Sequence, residues 1–410
     1  IAVAAGDWHT CAIDVGGDVW CWGMNNCGQL GAGDHDTLEN RPSPFRVEGL
    51  PPCITLAAGE YHTCAVTIEG QVWCWGENRR GQLGDGTTNA SEKPVRVKKL
   101  PKVTDLFTTS YGACARTTGG AVFCWGDVSG FEMTPRPVPA EVMKNAEGLW
   151  AQGNVVCAGT RGGEHQWWGS NHEGLIAPHT DAPRATIETP QVVPQLAGAI
   201  EIAPGRDGMC FLLESGEVRC RGTGFEGLLG NNTASSVLEI TERDSVAVEG
   251  ISDAVAIGRG GNRACAMRKN GEVLCWGSQW GDDPDTRRRT KPFEVPGLDN
   301  VESIAAGRGA TCVVRRDGTV WCWGRGAEGQ MGRGDRLTNS KPRQVPGVAG
   351  VEEITMSTFT VCARGGGNTW CWGSAGREPI FTAQDGRALS PVSVSTDVFD
   401  KVSATNLGSK

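Results

Sequence analysis

Val19-Trp20-Cys21-Trp22-Gly23 decides the fold, because it returns as Val72-Trp73-Cys74-Trp75-Gly76 and again as Val122-Phe123-Cys124-Trp125-Gly126. Degraded copies follow at Gln166-Trp167-Trp168-Gly169 and Arg219-Cys220-Arg221-Gly222. Fuller ones return at Leu274-Cys275-Trp276-Gly277, Trp321-Cys322-Trp323-Gly324 and Trp370-Cys371-Trp372-Gly373, making eight copies. They recur about every 50 residues, a period that marks a solenoid, propeller or array. Upstream of each copy lies a small-residue triplet such as Ala4-Ala5-Gly6, then a short run with a cysteine such as Thr10-Cys11-Ala12, then a Gly/Asp turn. Downstream lies a Gly-rich loop, Gly28-Gln29-Leu30-Gly31 or Gly81-Gln82-Leu83-Gly84, and a Pro-flanked run such as Pro94-Val95-Arg96-Val97. Four short runs per period, separated by turn residues, read as one small antiparallel sheet.

Both faces of Val19-Trp20-Cys21-Trp22 are apolar, so both must be covered. Sheets stacked face to face around an axis do this, which predicts an all-β chain folded as a β-propeller of four-stranded antiparallel blades. One propeller domain over 1–410 is expected, with units at about 1–50, 51–100, 101–145, 146–198, 199–250, 251–300, 301–350 and 351–398. Residues 399–410 would supply a closing strand and tail. Eight blades follow from the count, and seven with one repeat split or displaced is the alternative. Small Ala/Gly triplets suit the crowded innermost strand, and tryptophan suits the wider space between blades; the chain has 15 Trp but only 2 Tyr.

These landmarks (Ala-Ala-Gly, Val-Trp-x-Trp-Gly, Gly-Gln-Leu-Gly) resemble those of the regulator of chromosome condensation repeat family, here in a disulfide-rich, extracytoplasmic form. The resemblance implies propeller blades, usually seven. It also implies a choice of functions: macromolecule binding, of which enzyme inhibition is one version, or the GTPase exchange and chromatin binding of the founding member.

The 17 cysteines follow the repeat. Cys11/Cys21, Cys64/Cys74, Cys114/Cys124, Cys210/Cys220, Cys265/Cys275 and Cys312/Cys322 have nine residues between them, and Cys362/Cys371 has eight. An odd count about a turn places the two residues opposite each other on a hairpin, within disulfide reach. Reduced thiols serving as small core hydrophobes are the competing reading, and recurrence at one repeat position favours bridges. An oxidising location, secreted, periplasmic or cell-surface, follows. Cys27 and Cys53 are expected to bridge neighbouring blades. Cys157, whose partner position is Trp167, is expected to be a buried free thiol.

No phosphate-cradling loop, metalloprotease helix or nucleophile elbow is present, so no catalytic residue, cofactor or metal is assigned. His9 and His62 share a repeat position after Asp7 and Glu60; a metal site is conceivable there, and ordering of the loop is the plainer role. Asn89-Ala90-Ser91 and Asn231-Asn232-Thr233 are glycosylation sequons if a eukaryote makes the protein. Arg333-Gly334-Asp335 falls on ordinary repeat loop. The net charge of −8 opposes phosphate binding, so nucleic acid is not an expected partner. No apolar run is long enough for a transmembrane segment, and the chain opens without a leader, so any signal peptide is expected to have been removed.

Binding is therefore assigned to loops. The tips after the innermost strands carry Asp7, Trp8, Glu60, Tyr61, Tyr111, Arg206, Asn262, Arg308 and Phe359, a mixture typical of interface hot spots. The expected function is non-enzymatic capture of a protein or cell-surface macromolecule through that face. The alternatives are a GTPase-exchange or chromatin regulator, and a propeller-based glycan-acting enzyme using carboxylates such as Asp7 and Glu60.

Overall fold

The computed structural model describes the chain except residues 1, 7, 35–40, 129–135, 153, 161–163, 171–185, 193–196, 206–207, 225, 234–239, 262, 279–287, 308, 357–359, 376–377, 380–387 and 394–410. The described residues form eight antiparallel sheets and no helix. Each sheet is built from consecutive strands. Blade 1 comprises Ala2–Ala5, His9–Ile13, Val19–Gly23 and Arg41–Arg46. Blade 2 comprises Cys53–Ala58, His62–Thr67, Val72–Gly76 and Ser91–Arg96. Blade 8 is made of Glu353–Met356, Thr360–Gly365, Asn368–Ala375 and Ala388–Ser393, with the short Glu378–Pro379 beside it.

Eight apolar clusters fill the eight gaps between blades. One joins Cys11, Cys21 and Leu30 of blade 1 to Ala65 and Trp75 of blade 2. Another joins Cys362 and Cys371 of blade 8 to Ala12 and Trp22 of blade 1, which closes the ring. The chain thus has eight blades, and the seven-blade alternative falls. The expected closing strand at 399–410 lies outside the described residues.

The repeated residues each have a structural task. Trp22, Trp75, Trp125, Trp276, Trp323 and Trp372 are fully buried. The indole of Trp75 donates to Gln29 O of the preceding blade at 2.9 Å, as Trp125 does to Gln82 O, Trp276 to Leu228 O and Trp372 to Gln330 O. The Gly-Gln-Leu-Gly loop exists to present that carbonyl. Gln29 and Gln82 accept the amides of Cys27 and Arg80, and Asn25 and Asn78 accept those of Leu30 and Leu83. The final glycine must be glycine: Gly31 has φ 72°, and a Cβ there would stand 3.0 Å from the Trp75 indole nitrogen.

The hairpin cysteines are opposed in register and bridged in seven blades, with Cα atoms 4.0–4.2 Å apart. The shorter Cys362/Cys371 spacing is absorbed by Gly366-Gly367, both at positive φ in the tightest of the turns. In blade 4, Cys157 faces Trp167, is 2% exposed and has no bridge.

The proposed Cys27–Cys53 bridge is corrected, since both are free thiols. Cys27 sits in a loop beyond the third strand. Cys53 opens the innermost strand of blade 2, where its amide bonds Gly17 O in the turn at the other end of the hairpin. A strand of six residues, about 20 Å at ~3.3 Å each, separates those two ends. Burial pushes the Cys53 thiol up to about 12, keeping it protonated.

Candidate partner-binding face

Loops after the innermost strand and loops after the third strand share one face of the ring. Backbone hydrogen bonds tie them together: Met24 N to Trp8 O at 3.0 Å, Glu77 N to Tyr61 O at 3.0 Å, Ser170 N to Asn154 O at 2.7 Å and Arg325 N to Gly309 O at 2.8 Å. The opposite face is occupied by hairpin turns that receive the connection to the next blade, as Gly70 O receives Val103 N. Variable side chains are therefore concentrated on the first face.

At blades 2 to 4 these loops also bond each other around the ring. Glu60 N donates to Ser110 O at 3.3 Å, and Ser110 N donates to Asn154 Oδ1 at 3.1 Å. On this belt, Tyr61 and Tyr111 both lie near enough to the Glu60 carboxylate to feel its charge. Burial and then the neighbouring Glu60 charge push the Tyr61 hydroxyl up to about 12; burial and then Glu60 push Tyr111 higher still. Both remain neutral donors at physiological pH.

Arg80, from the Gly-rich loop of blade 2, stacks over the Tyr111 ring with 4.2 Å to its centroid. It also pairs with the fully buried carboxylate of Asp127 in blade 3. Glu77 is half-buried, and burial raises its pKa, partly offset by Arg79 and Arg80. The result is an ordered acidic–aromatic–cationic patch.

Of the residues singled out in the sequence, Glu60, Tyr61 and Tyr111 thus come together. Trp8 stands half-buried on blade 1 with its loop tied to Met24. Asp7, Arg206, Asn262, Arg308 and Phe359 lie outside the described residues. Arg80 and Asp127 were missed. A signal for Arg80 existed, because the residue before each Gly-Gln changes from Cys27 to Arg80 to Glu328 while the loop around it repeats.

His9 and His62 are fully buried between blades. His9 Nε2 bonds Thr63 Oγ1 of the next blade at 2.7 Å, and Thr63 donates onward to Gln29 O. Burial lowers the two imidazoles to about 3 and about 4, with the His62 charge adding to the fall at His9. The unfolded state takes up protons below pH 6.5 while the native state does not, so stability is complete above 6.5 and falls as pH drops toward 4. Denaturation midpoints measured from pH 7 to 5 are expected to show this loss, and His62→Gln to reduce the slope by about a third to a half. An unchanged slope would mean that His62 contributes nothing to the pH dependence of stability.

Models of the regulator of chromosome condensation (RCC1) repeat match residues 16–66, 69–115 and 317–363, and a second model of the same repeat matches 1–29, 53–82 and 301–330. The guanine nucleotide exchange factor SRM1 of Saccharomyces cerevisiae is 30% identical over 281 residues, covering 64% of this chain and 54% of that protein. A protein RCC2 homolog of Danio rerio is 45% identical over 80 residues, 19% of this chain and 16% of its own. The chain therefore spans about half the length of the first relative and far less of the second. Yeast RCC1 (Prp20), solved with Kap60, superposes at a TM-score of 0.59 with 23% identity over 92% of this chain and 83% of that one. Human WBSCR16 superposes at 0.58 with 17% identity over 89% and 87%.

The expected partner class is corrected by these comparisons. Prp20p from Saccharomyces cerevisiae has been solved with attention to its binding of Gsp1p and histones, so a cell-surface macromolecule with nucleic acid excluded is not the pattern among similar proteins. Net acidity speaks only against direct phosphate contacts and does not by itself exclude a basic protein partner. No helix among the described residues is long and apolar enough to cross a membrane. Matched repeats, ring and bridged hairpins agree: the chain carries regulator of chromosome condensation (RCC1) repeats at both ends of its described ring, and folds as an eight-bladed propeller with a disulfide in seven of its blades.

Proposed function

We propose that this chain is a non-enzymatic propeller that binds a protein partner through its loop-bearing face, in an oxidising, extracytoplasmic compartment. The observation that carries the reading is the patch of Glu60, Tyr61, Tyr111, Arg80 and Asp127, ordered by the stacking of Arg80 on Tyr111, the Arg80–Asp127 ion pair and the loop-to-loop hydrogen bond from Glu60 N to Ser110 O. Tyrosine and arginine dominate interface hot spots, and side chains already ordered lose little entropy on binding. Trp8 extends the same face, and Asp7, Arg206, Asn262, Arg308 and Phe359 are proposed as further binding residues from their repeat positions in the sequence. Seven bridged hairpins support the compartment, since cytosolic and nuclear thiols are kept reduced.

The test is cross-linked capture by the oxidised protein, identification by mass spectrometry, and titration of the partner found. Tyr111→Ala is expected to weaken binding at least about tenfold at unchanged melting temperature. Arg80→Ala is expected to weaken it likewise while also lowering the melting temperature, since it removes the partner of the buried Asp127 carboxylate. Glu69→Ala, in an exposed turn of the opposite face, is expected to leave it alone. Undiminished binding by both patch variants would end this assignment of the face.

A second reading, nucleotide exchange on a small GTPase, is favoured by the 30% identity over 281 residues to an exchange factor. Release of fluorescent GDP from Gsp1p, measured with the reduced and the oxidised chain, separates the two. Acceleration by the reduced chain supports exchange, and none by either form leaves the first reading standing. No comparison favours the glycan-acting alternative in the same way.

A further inference from the structure

Arg263 begins the second strand of blade 6, Arg263–Arg268, opposite Gly277. By register it holds the place of His9, opposite Gly23, and His62, opposite Gly76. It is 1% exposed, and Nε, Nη1 and Nη2 all lack a hydrogen-bond partner. The side chain reaches toward blade 7, for a Cβ on Gly324 would stand 3.1 Å from Nη2. On that side lies Thr311, in register with Trp323, fully buried and with Oγ1 also unpartnered.

The junction of blades 1 and 2 shows how the same positions are otherwise satisfied. There a neutral imidazole bonds Thr63, which donates to Gln29 O. At blades 6 and 7 the imidazole has become a guanidinium, and neither it nor the threonine in the Thr63 position has a partner among the described residues, which do not include 279–287, the blade 6 counterpart of the Gln29 loop. Burial lowers Arg263 only to about 10, so it carries its charge at neutral pH. A buried charge with nothing opposite is the arrangement proteins avoid. Two buried donors on the facing strands of one junction need an acceptor, and the cation needs it to be negative.

We infer that the junction between blades 6 and 7 binds a small monovalent anion, a halide or a carboxylate of formate size, held by the Arg263 guanidinium and the Thr311 hydroxyl. Burial of both side chains sets the size limit. The anion acts as a neutralising linchpin between two blades, and its binding is coupled to their packing.

The experiment is thermal unfolding of the full oxidised chain in sodium bromide and in sodium formate, each from 5 to 300 mM (about a 60-fold range), at ionic strength held constant with gluconate. A saturable rise of about 2 °C is expected in one or both salts, and Arg263→Met is expected to be flat in each. Bromide alone active assigns a halide site; formate alone assigns a carboxylate site. A rise shared equally by Arg263→Met, or no rise in either salt, overturns the inference. Crystals grown in bromide provide the check that needs no variant: an anomalous peak beside Arg263 is expected, and its absence there together with a flat bromide titration overturns the halide form.

Discussion

Trp75→Ala is expected to destabilise the ring by about 3–5 kcal/mol, measured by denaturant unfolding under non-reducing conditions. The indole is fully buried between blades 1 and 2, so truncation removes apolar contact and leaves a void that the stapled hairpins cannot collapse to fill. It also removes one of the two donors to Gln29 O, the indole nitrogen at 2.9 Å, leaving Thr63 alone there. Trp150→Ala is the natural control, because that ring is 41% exposed and makes only a tilted contact with His165 at 5.9 Å. A loss below ~1 kcal/mol at Trp75, comparable with the control, would mean that the interior tryptophans do not hold the blades together.

Denatured but unreduced protein is expected to present three reactive thiols, Cys27, Cys53 and Cys157, and seventeen after reduction. Alkylation followed by intact mass counts them. Each bridge closes a loop of about eleven residues and contributes roughly 2–3 kcal/mol in the chain-entropy model. Full reduction is therefore expected to lower the thermal midpoint by on the order of 20 °C. The same count on material taken directly from its source decides the compartment: seventeen without added reductant places the protein in a reducing one, and the exchange-factor reading gains accordingly.

The fold was readable because its rule is local and repeated. Each Val-Trp-Cys-Trp-Gly strand states its own partner through the hairpin cysteine, and register follows from the spacing to a turn. Blade number followed from the count because each repeat builds one blade without borrowing a strand. What could not be read is where a residue sits along the axis of a blade. Cys27 and Cys53 looked like neighbours across two repeats, yet a whole strand stands between their ends of the molecule. The patch was half legible for the same reason. Glu60, Tyr61 and Tyr111 were visible as loop tips, whereas Arg80 joins them from another loop and Asp127 from a strand end. Arg263 was hidden differently, since only alignment with His9 and His62 shows that a charge has entered a buried slot.

The four indole hydrogen bonds described between blades all point the same way: the tryptophans of blades 2, 3, 6 and 8 each serve the loop of the blade before. Such head-to-tail contacts make a ring when the rotation per unit closes and an open fibre when it does not. Eight units close at about 45° each. Deletion of one blade would leave, on opposite flanks of the same molecule, an unanswered donor and an unanswered acceptor that fit each other. Copies of such a shortened chain would satisfy them by joining end to end, so polymerisation is the failure built into this architecture, and a complete circle is what holds it off.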